Sequence, residues 1–197
     1  MTKTTRRAVL TAIAALPMLS AKAYALTENQ AIDLVNKMSA DIKATVNSGK
    51  QDAAMYDAFE QLLMKYADMA IIARFALGAA ARGASESEIN AFIDAFAGYL
   101  SKKYGKQFPQ FIGGDIKVVS AKADDRGVIV TAKASLKGQS PVSVDFHVSD
   151  RSGTPKAFNV IIEGVNLLTT ERTEIGAMLD QQKGSIPNLT KALAARG

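Results

Sequence analysis

The stretch that decides the fold is VSVDFHVS at residues 142–149, in which apolar and polar side chains alternate strictly. A period of two is typical of a β-strand with one buried face. The same period predicts strands over 116–121, 128–136 and 158–163. The connecting segments contain Gly, Asp, Ser and Pro and are too short for helical crossovers. The four strands should therefore form an antiparallel meander.

Helical patterns flank the predicted sheet on both sides. Two capping boxes, Thr27 with Gln30 and Ser85 with Glu88, each open a segment with apolar side chains at three- and four-residue spacing. We therefore expect an α+β fold with a four-stranded or slightly larger antiparallel sheet and helices packed on one face. A single domain should span 26–197. The predicted helices cover 27–46, 52–66, 68–77, 85–104, 173–182 and 185–195.

Residues 1–25 have the organisation of a bacterial export signal. A positively charged start with Arg6 and Arg7 precedes the apolar stretch AVLTAIAALPML at 8–19, and Ala-Tyr-Ala ends the segment as a typical cleavage site. The pattern fits either a general secretory or a twin-arginine signal. We expect cleavage after Ala25 and a soluble periplasmic protein.

The basic character of the chain lies mostly in this signal. The whole sequence has 24 Lys and Arg against 19 Asp and Glu, a formal net charge of +5. Residues 1–25 carry four of the 24 basic side chains and none of the 19 acidic ones, so the remainder has a net charge of +1. A nearly neutral domain lacks the electrostatic footprint of a nucleic-acid binder, and we expect no nucleic-acid partner.

Few side chains are suited to catalysis or metal binding. The chain has no Cys and a single His, which excludes thiol nucleophiles, Cys-ligated metals and multi-His sites. Ser143, Asp145 and His147 have the residue types of a hydrolytic triad. Neighbours on one strand face lie about 7 Å apart, however, which is too far for direct hydrogen bonds. We expect a solvated polar strand face here, and no catalytic residue, metal or cofactor.

Two segments resemble a known protein family. They are DMAIIARFALG at 68–78, followed by the aromatic-rich helix predicted from Ser85, and FNVIIEGVNLL at 158–168 with an Arg shortly after it. Together they resemble the toluene-tolerance family, whose best-known members are MlaC-type periplasmic phospholipid-binding proteins. Asn159, Asn166 and Glu171 stand where that family usually has Asp, Ser and Tyr. Such departures suit a divergent branch, and a related branch is associated with hopanoid lipids.

The resemblance implies a lipid carrier and not an enzyme. Such a carrier, expected to be a monomer, exchanges phospholipid between an outer-membrane lipoprotein complex and an inner-membrane ABC transporter, which maintains outer-membrane lipid asymmetry. The acyl chains would lie in an apolar pocket between sheet and helices, with the head group outside. The residues expected to line this pocket are Ile72, Phe75, Phe92, Phe96, Tyr99, Val130, Val144, Phe146, Val160, Ile162, Val165 and Leu168.

Two other functions are compatible with the sequence. An α+β domain of this kind can house a small-molecule enzyme, in which Asp145 or Glu163 would be the candidate base. Alternatively, the apolar side chains form only core and interface, as in a periplasmic adaptor. Composition does not distinguish a packed core from a cavity, so the choice between these functions depends on the tertiary structure.

Overall fold

A computed structural model describes residues 26–136 and 138–196, apart from the side chain of Phe108. The predicted export signal, residues 1–25, lies outside the described residues. Short 3-10 turns occur at Gly78–Arg82 and Phe108–Phe111. The helices are α1 (Glu28–Val46), α2 (Asp52–Tyr66), α3 (Met69–Leu77), α4 (Glu86–Gly105), α5 (Leu167–Gln181) and α6 (Ile186–Ala194). The strands are β1 (Asp115–Asp124), β2 (Gly127–Ser135), β3 (Val142–Ser149), β4 (Lys156–Ile162) and β5 (Val165–Asn166).

The strands form one antiparallel sheet in the order β1-β2-β3-β4-β5. This confirms the α+β fold and the antiparallel meander that the alternating pattern predicts. The short strand β5 is an addition to the four predicted strands. It follows a two-residue turn in which Glu163 and Gly164 have φ angles of 48° and 81°. Positive φ at both central residues is characteristic of a type I′ hairpin turn, which suits the natural twist of paired strands.

Two bulges interrupt the sheet. On β1 the register shifts between Val118 and Ser120, and the intervening Val119 is 63% exposed. On β4 the register shifts where His147 pairs with Asn159 and Val148 pairs with Ala157. A bulge bends its strand and increases the local twist. The sheet therefore curves beneath the helices, with α1 packed on β1 to β3 and with α3 and α5 packed on β4.

The helix starts follow local capping chemistry. The Gln30 N–H donates to Thr27 Oγ1 at 3.2 Å, and the Glu88 N–H donates to Ser85 Oγ at 3.2 Å, so both capping boxes form. Helix α5 begins six residues before the predicted start at 173, which corrects that boundary. Its cap is Asn166, whose Oδ1 accepts a 3.0 Å hydrogen bond from the Thr169 N–H.

The buried apolar side chains form two main clusters. One joins α1 to the sheet and includes Val35, Val130 and Val148, each fully shielded from solvent. The other joins α3, α4, α5 and α6 and includes Phe92 and Ile175. The two clusters pack separately. A junction between two cores therefore lies where the helical cluster meets the cluster of α1 and the sheet. The candidate site lies at this junction.

Candidate functional site

A cavity of about 290 Å³ lies between the two clusters. Met38 and Val144 on its wall belong to the cluster of α1 and the sheet, whereas Leu100 and Ile72 belong to the helical cluster. The volume is at the small end of the range known for ligand pockets, roughly 300–1,000 Å³. The wall is formed by Met38, Ile42, Phe59, Leu62, Leu63, Tyr66, Ala67, Ile72, Leu100, Tyr104, Gln107, Phe111, Ile116, Ala134, Val144, Phe146, Ala157, Phe158, Asn159, Val160, Ile162, Leu167, Leu168 and Glu171.

Cross-strand pairs build the sheet side of the cavity. Val144 is opposite Ile162, and Phe146 is opposite Val160, in the register of β3 with β4. Residues opposite each other on paired strands point to the same face, and alternate residues share that face. The alternation in 142–149 therefore turns Val144 and Phe146 towards the cavity and leaves Asp145 on the other face.

The helices supply the other sides of the wall through residues one turn apart. Leu62 and Tyr66 come from α2, and Leu100 and Tyr104 come from α4. Side chains four positions apart lie one above the other on a helix face. Each helix therefore presents a continuous apolar strip, ending at a tyrosine, to the cavity.

A hydrogen bond fixes Tyr66 in the wall. Its hydroxyl donates to Asp41 Oδ2 at 2.6 Å, and the same oxygen accepts from Lys65 Nζ at 2.8 Å. Burial and the bond to Asp41 raise the pKa of Tyr66. The hydrogen bonds from Lys65 and Tyr66 lower the pKa of Asp41. The phenol therefore stays protonated and keeps donating to the carboxylate, so its ring is held against the cavity.

A second polar group of side chains reaches the wall between α4 and α5. Lys103 Nζ lies 2.7 Å from Glu171 Oε1 and 2.6 Å from Glu174 Oε2. The Tyr104 hydroxyl also donates to Glu171 Oε1, and Tyr99 donates to Glu174 at 3.0 Å. Burial acts to lower the pKa of Lys103, but its two hydrogen bonds to carboxylates outweigh that effect and raise the pKa. Burial, together with the bond to Glu171, raises the pKa of Tyr104 well above its ordinary value.

Glu171 is the functional candidate that sequence reasoning missed. The residue is only 3% exposed and lies on the cavity wall. Its Oε1 accepts two hydrogen bonds, whereas Oε2 is buried without a partner among the residues that the structure describes. In the sequence, Glu171 appears only as a departure from the family pattern. Its position depends on contacts with Lys103 and Tyr104 of α4, which are remote in the chain and which no local pattern reveals.

Six of the twelve residues expected to line a pocket are brought together in this wall: Ile72, Val144, Phe146, Val160, Ile162 and Leu168. These six residues belong to α3, β3, β4 and α5, and α3 is far from the other three elements in the sequence. The alternation of β3 and β4 identified four of these residues correctly as one face of the sheet.

The structure places the other six residues elsewhere. Phe92 and Phe96 stack at 5.2 Å inside the helical cluster, and the partly buried Tyr99 stacks on Phe96 at 6.3 Å. Val130 lies on the inner sheet face, but α1 covers it. Phe75 and Val165 are 39% and 56% exposed, respectively. The predicted wall is corrected accordingly: only the last two turns of α4, and not the middle of that helix, face the cavity.

The candidate bases of the enzyme alternative also lie outside the cavity wall. Asp145 Oδ1 accepts a 2.6 Å hydrogen bond from the Thr131 hydroxyl on the far face of the sheet. Glu163 is exposed in the β4–β5 turn, where its carboxylate accepts from the Ser143 N–H. Each carboxylate therefore supports local strand or turn geometry and is not presented to a ligand in the cavity.

The prediction that His147 lies on a solvated strand face is wrong. His147 is 6% exposed, and its ring meets the Phe158 ring edge-on at 5.8 Å. The β4 bulge places Phe158 at this position, which the alternation of β3 alone does not reveal. Burial lowers the pKa of His147, and the nearby charge of Arg126 adds to this effect.

The part of the chain that the structure describes contains no group of three His, Asp or Glu side chains placed to hold a metal ion. No described helix is long and apolar enough to cross a membrane. A second concavity, of about 440 Å³, lies beside Asp68, Asp94 and Lys156. Its wall mixes charged and apolar side chains, so it lacks the continuous apolar surface of the first cavity.

Comparisons with known proteins identify the family and a solved structure with a similar fold. The family model described as MlaC protein matches residues 33–195, most of the chain. The fold is also similar to that of a solved phospholipid-binding protein from Ralstonia solanacearum in complex with a phospholipid. That match has a TM-score of 0.69 at 20% sequence identity and covers 87% of this chain and 97% of the other.

Proposed function

The chain belongs to the MlaC family, and on that premise we propose that it is a carrier that encloses the acyl chains of a phospholipid in the cavity between its two cores. The observation that carries the proposal is the wall itself, which draws apolar side chains from five helices, α1 to α5, and from strands of the sheet. The solved relative from Ralstonia solanacearum, in complex with a phospholipid, has the same fold. A protein of this kind binds and moves its cargo and does not transform it.

The physical basis is the cost of exposing acyl chains to water. Each CH₂ group transferred from water into an apolar environment contributes about 0.8 kcal/mol. The head group needs a different environment, because a buried phosphate must be paired with charges or hydrogen-bond donors. The described wall of the cavity contains no Lys or Arg. The acyl chains therefore lie inside, and the phosphate remains outside.

We also propose where the protein acts and between which membranes it carries lipid. The signal pattern in residues 1–25 favours export to the periplasm, with cleavage after Ala25. There the monomeric protein would pass phospholipid between an outer-membrane lipoprotein complex and an inner-membrane ABC transporter. The near-neutral charge of the remaining chain, +1, suits a carrier that diffuses between two membranes without adhering to either anionic surface.

Mass spectrometry of organic extracts tests the central claim. The protein is purified without detergent, and bound lipids are quantified against protein. About one phospholipid per chain is expected. Recovery of protein without lipid, together with failure to take up phospholipid from vesicles, would overturn the proposal. Recovery of about one hopanoid per chain would support the carrier function but identify a different cargo.

A matched pair of variants locates the binding site. Val160→Trp adds a bulky ring to the cavity wall, whereas Val165→Trp adds the same ring at an exposed edge position, 56% exposed in the native chain. Val160→Trp should abolish lipid uptake although its circular dichroism spectrum shows that it is folded. Val165→Trp should take up lipid as the native protein does. Normal loading of folded Val160→Trp would show that acyl chains bind elsewhere.

A further inference from the structure

The unpartnered oxygen of Glu171 is a polar feature in an otherwise largely apolar wall. The Glu171 side chain is 4% exposed, and its carboxylate is anchored through Oε1 by Lys103 and Tyr104. Oε2 has no hydrogen-bond partner among the described residues. An unsatisfied buried acceptor costs its full desolvation free energy, more so when it is charged. Such an atom beside a ligand cavity indicates an interaction that the ligand completes.

We propose that Glu171 Oε2 accepts a hydrogen bond from an O–H or N–H group of the bound lipid. This inference rests on the proposed carrier function and adds a preference for lipids that carry a hydrogen-bond donor. The preferred cargo carries a donor, either a hydroxyl or an ammonium, that reaches the wall between α4 and α5. Hydrogen bonds to an ionised carboxylate are stronger and shorter than neutral ones, so the contact discriminates between otherwise identical lipids.

The surrounding charges favour a donor over an anion. Lys103 contacts both Glu171 and Glu174, so these three side chains together carry a net charge of −1. A phosphate placed at Oε2 would meet a like charge at short range in a poorly hydrated wall, which is strongly unfavourable. A cation would instead compensate the excess negative charge, and a neutral hydroxyl would donate a hydrogen bond to Oε2 without any charge repulsion.

The fixed geometry around Oε1 makes the contact specific. Lys103 and Tyr104 are both donors, so the oxygen that they share cannot rotate away without losing two bonds. In the variant Glu171→Gln the amide oxygen must therefore remain at the Oε1 position. Its NH₂ group then replaces Oε2, which turns an acceptor facing the lipid into a donor.

Two pairs of lipids separate the possible donors. Dioleoyl phosphatidylethanolamine and dioleoyl phosphatidylcholine share chains and phosphate, but only the former has N–H donors. Dioleoylglycerol and its O-methyl ether differ only in the hydroxyl. Dissociation constants are measured by displacement of a fluorescent phospholipid from the delipidated protein. The donor-bearing member of at least one pair should bind about tenfold tighter, as expected for one hydrogen bond to a charged group.

Variants assign the preference to Glu171. Glu171→Gln should reduce the difference within the pair to less than about twofold. Glu174→Gln is the matched control, because it also removes a carboxylate partner of Lys103 but lies outside the cavity wall. It should keep the tenfold preference. Melting curves of both variants establish that they are folded.

Defined outcomes overturn the inference. Equal binding within both pairs by the native protein would do so, and this result does not depend on any variant folding. A preference that persists in folded Glu171→Gln, or that disappears equally in Glu174→Gln, would also overturn it. Failure of the fluorescent phospholipid itself to bind the delipidated protein would instead overturn the carrier function.

Discussion

The guanidinium of Arg172 lies over the ring of Phe75, with Cζ 5.0 Å from the ring centroid, and its Nη1 donates a 2.7 Å hydrogen bond to the Phe75 carbonyl oxygen. This carbonyl belongs to the last turn of α3, so Arg172 on α5 places a cation where the helix dipole favours one. The single side chain therefore joins two helices that both contribute to the cavity wall, α3 through Ile72 and α5 through Glu171, the residue before Arg172.

Replacement of Arg172 should weaken the attachment of α5 to α3. Arg172→Ala loses the stacking, the hydrogen bond and the charge at the helix end, which together should lower the free energy of unfolding by about 1–2 kcal/mol. Arg172→Lys keeps the charge but not the planar stacking, so its loss should be smaller. Urea denaturation measures both values. Equal stability of Arg172→Ala and the native protein would show that the contact is energetically unimportant.

Phe92 should be a core residue and not a lipid contact. Its side chain is fully shielded from solvent within the helical cluster, so Phe92→Ala should lower stability by about 3–5 kcal/mol through the cavity it leaves. Ile72→Ala, at the wall of an existing cavity, should cost less than half as much. Thermal and urea unfolding compare the two variants. Similar losses would contradict the distinction between packed core and cavity wall.

Stability should fall in mild acid because of His147. Its pKa is lowered from the ordinary value of 6.5 by burial and by Arg126, partly opposed by Asp124 and Asp145. The unfolded chain thus binds this proton more readily than the folded chain. The stability contributed by neutral His147 is complete above pH 6.5 and is lost as the pH falls through the lower folded pKa.

The single His of the chain makes this effect assignable. Urea unfolding between about pH 7.5 and 5 should show a decline in the native protein that is reduced in His147→Gln, which cannot be protonated in this range. Proton NMR of the imidazole should give a pKa below 6.5 in the folded state. A folded-state pKa at or above that value would contradict the predicted decline.

Two helical glycines should respond oppositely to alanine. An added Cβ at Gly176 in α5 meets no atom within 4 Å, so Gly176→Ala should raise stability by about 0.5–1 kcal/mol through helix propensity. At Gly105 in α4 the same atom would lie 2.8 Å from Tyr56 Cδ1. Gly105→Ala should therefore destabilise the protein or at best leave it unchanged. Melting temperatures provide the comparison, and a gain at Gly105 would contradict this close approach.

Local sequence patterns predicted most of the architecture. The alternation in 142–149 is a consequence of strand geometry and identified both the sheet and the face carrying Val144 and Phe146. Short connectors required antiparallel pairing of the strands. The capping boxes at Thr27 and Ser85 marked the helix starts through hydrogen bonds between residues three positions apart. These features depend on neighbours in the chain, so the sequence contains them directly.

The site was only partly predictable for the same reason. The apolar stripe of α4 is continuous in the sequence, yet Phe96 packs into the helical core whereas Leu100 borders the cavity. The difference arises from where the other helices and the sheet meet α4, which the period of the stripe does not specify. His147 likewise follows the polar positions of β3, but the bulge beside Phe158 brings an aromatic ring over it and excludes water.

The sequence by itself therefore determined the six helices, four of the five strands in the described residues, their order and the inner face of the sheet, because hydrogen bonding and side-chain periodicity act over a few residues. Only the tertiary structure decided that two separately packed cores leave a cavity between them. It also decided that Glu171, an ordinary surface residue by composition, is buried there with one free carboxylate oxygen among the described residues. Both results depend on contacts between helices and strands that are remote in the chain, and packing alone establishes such contacts.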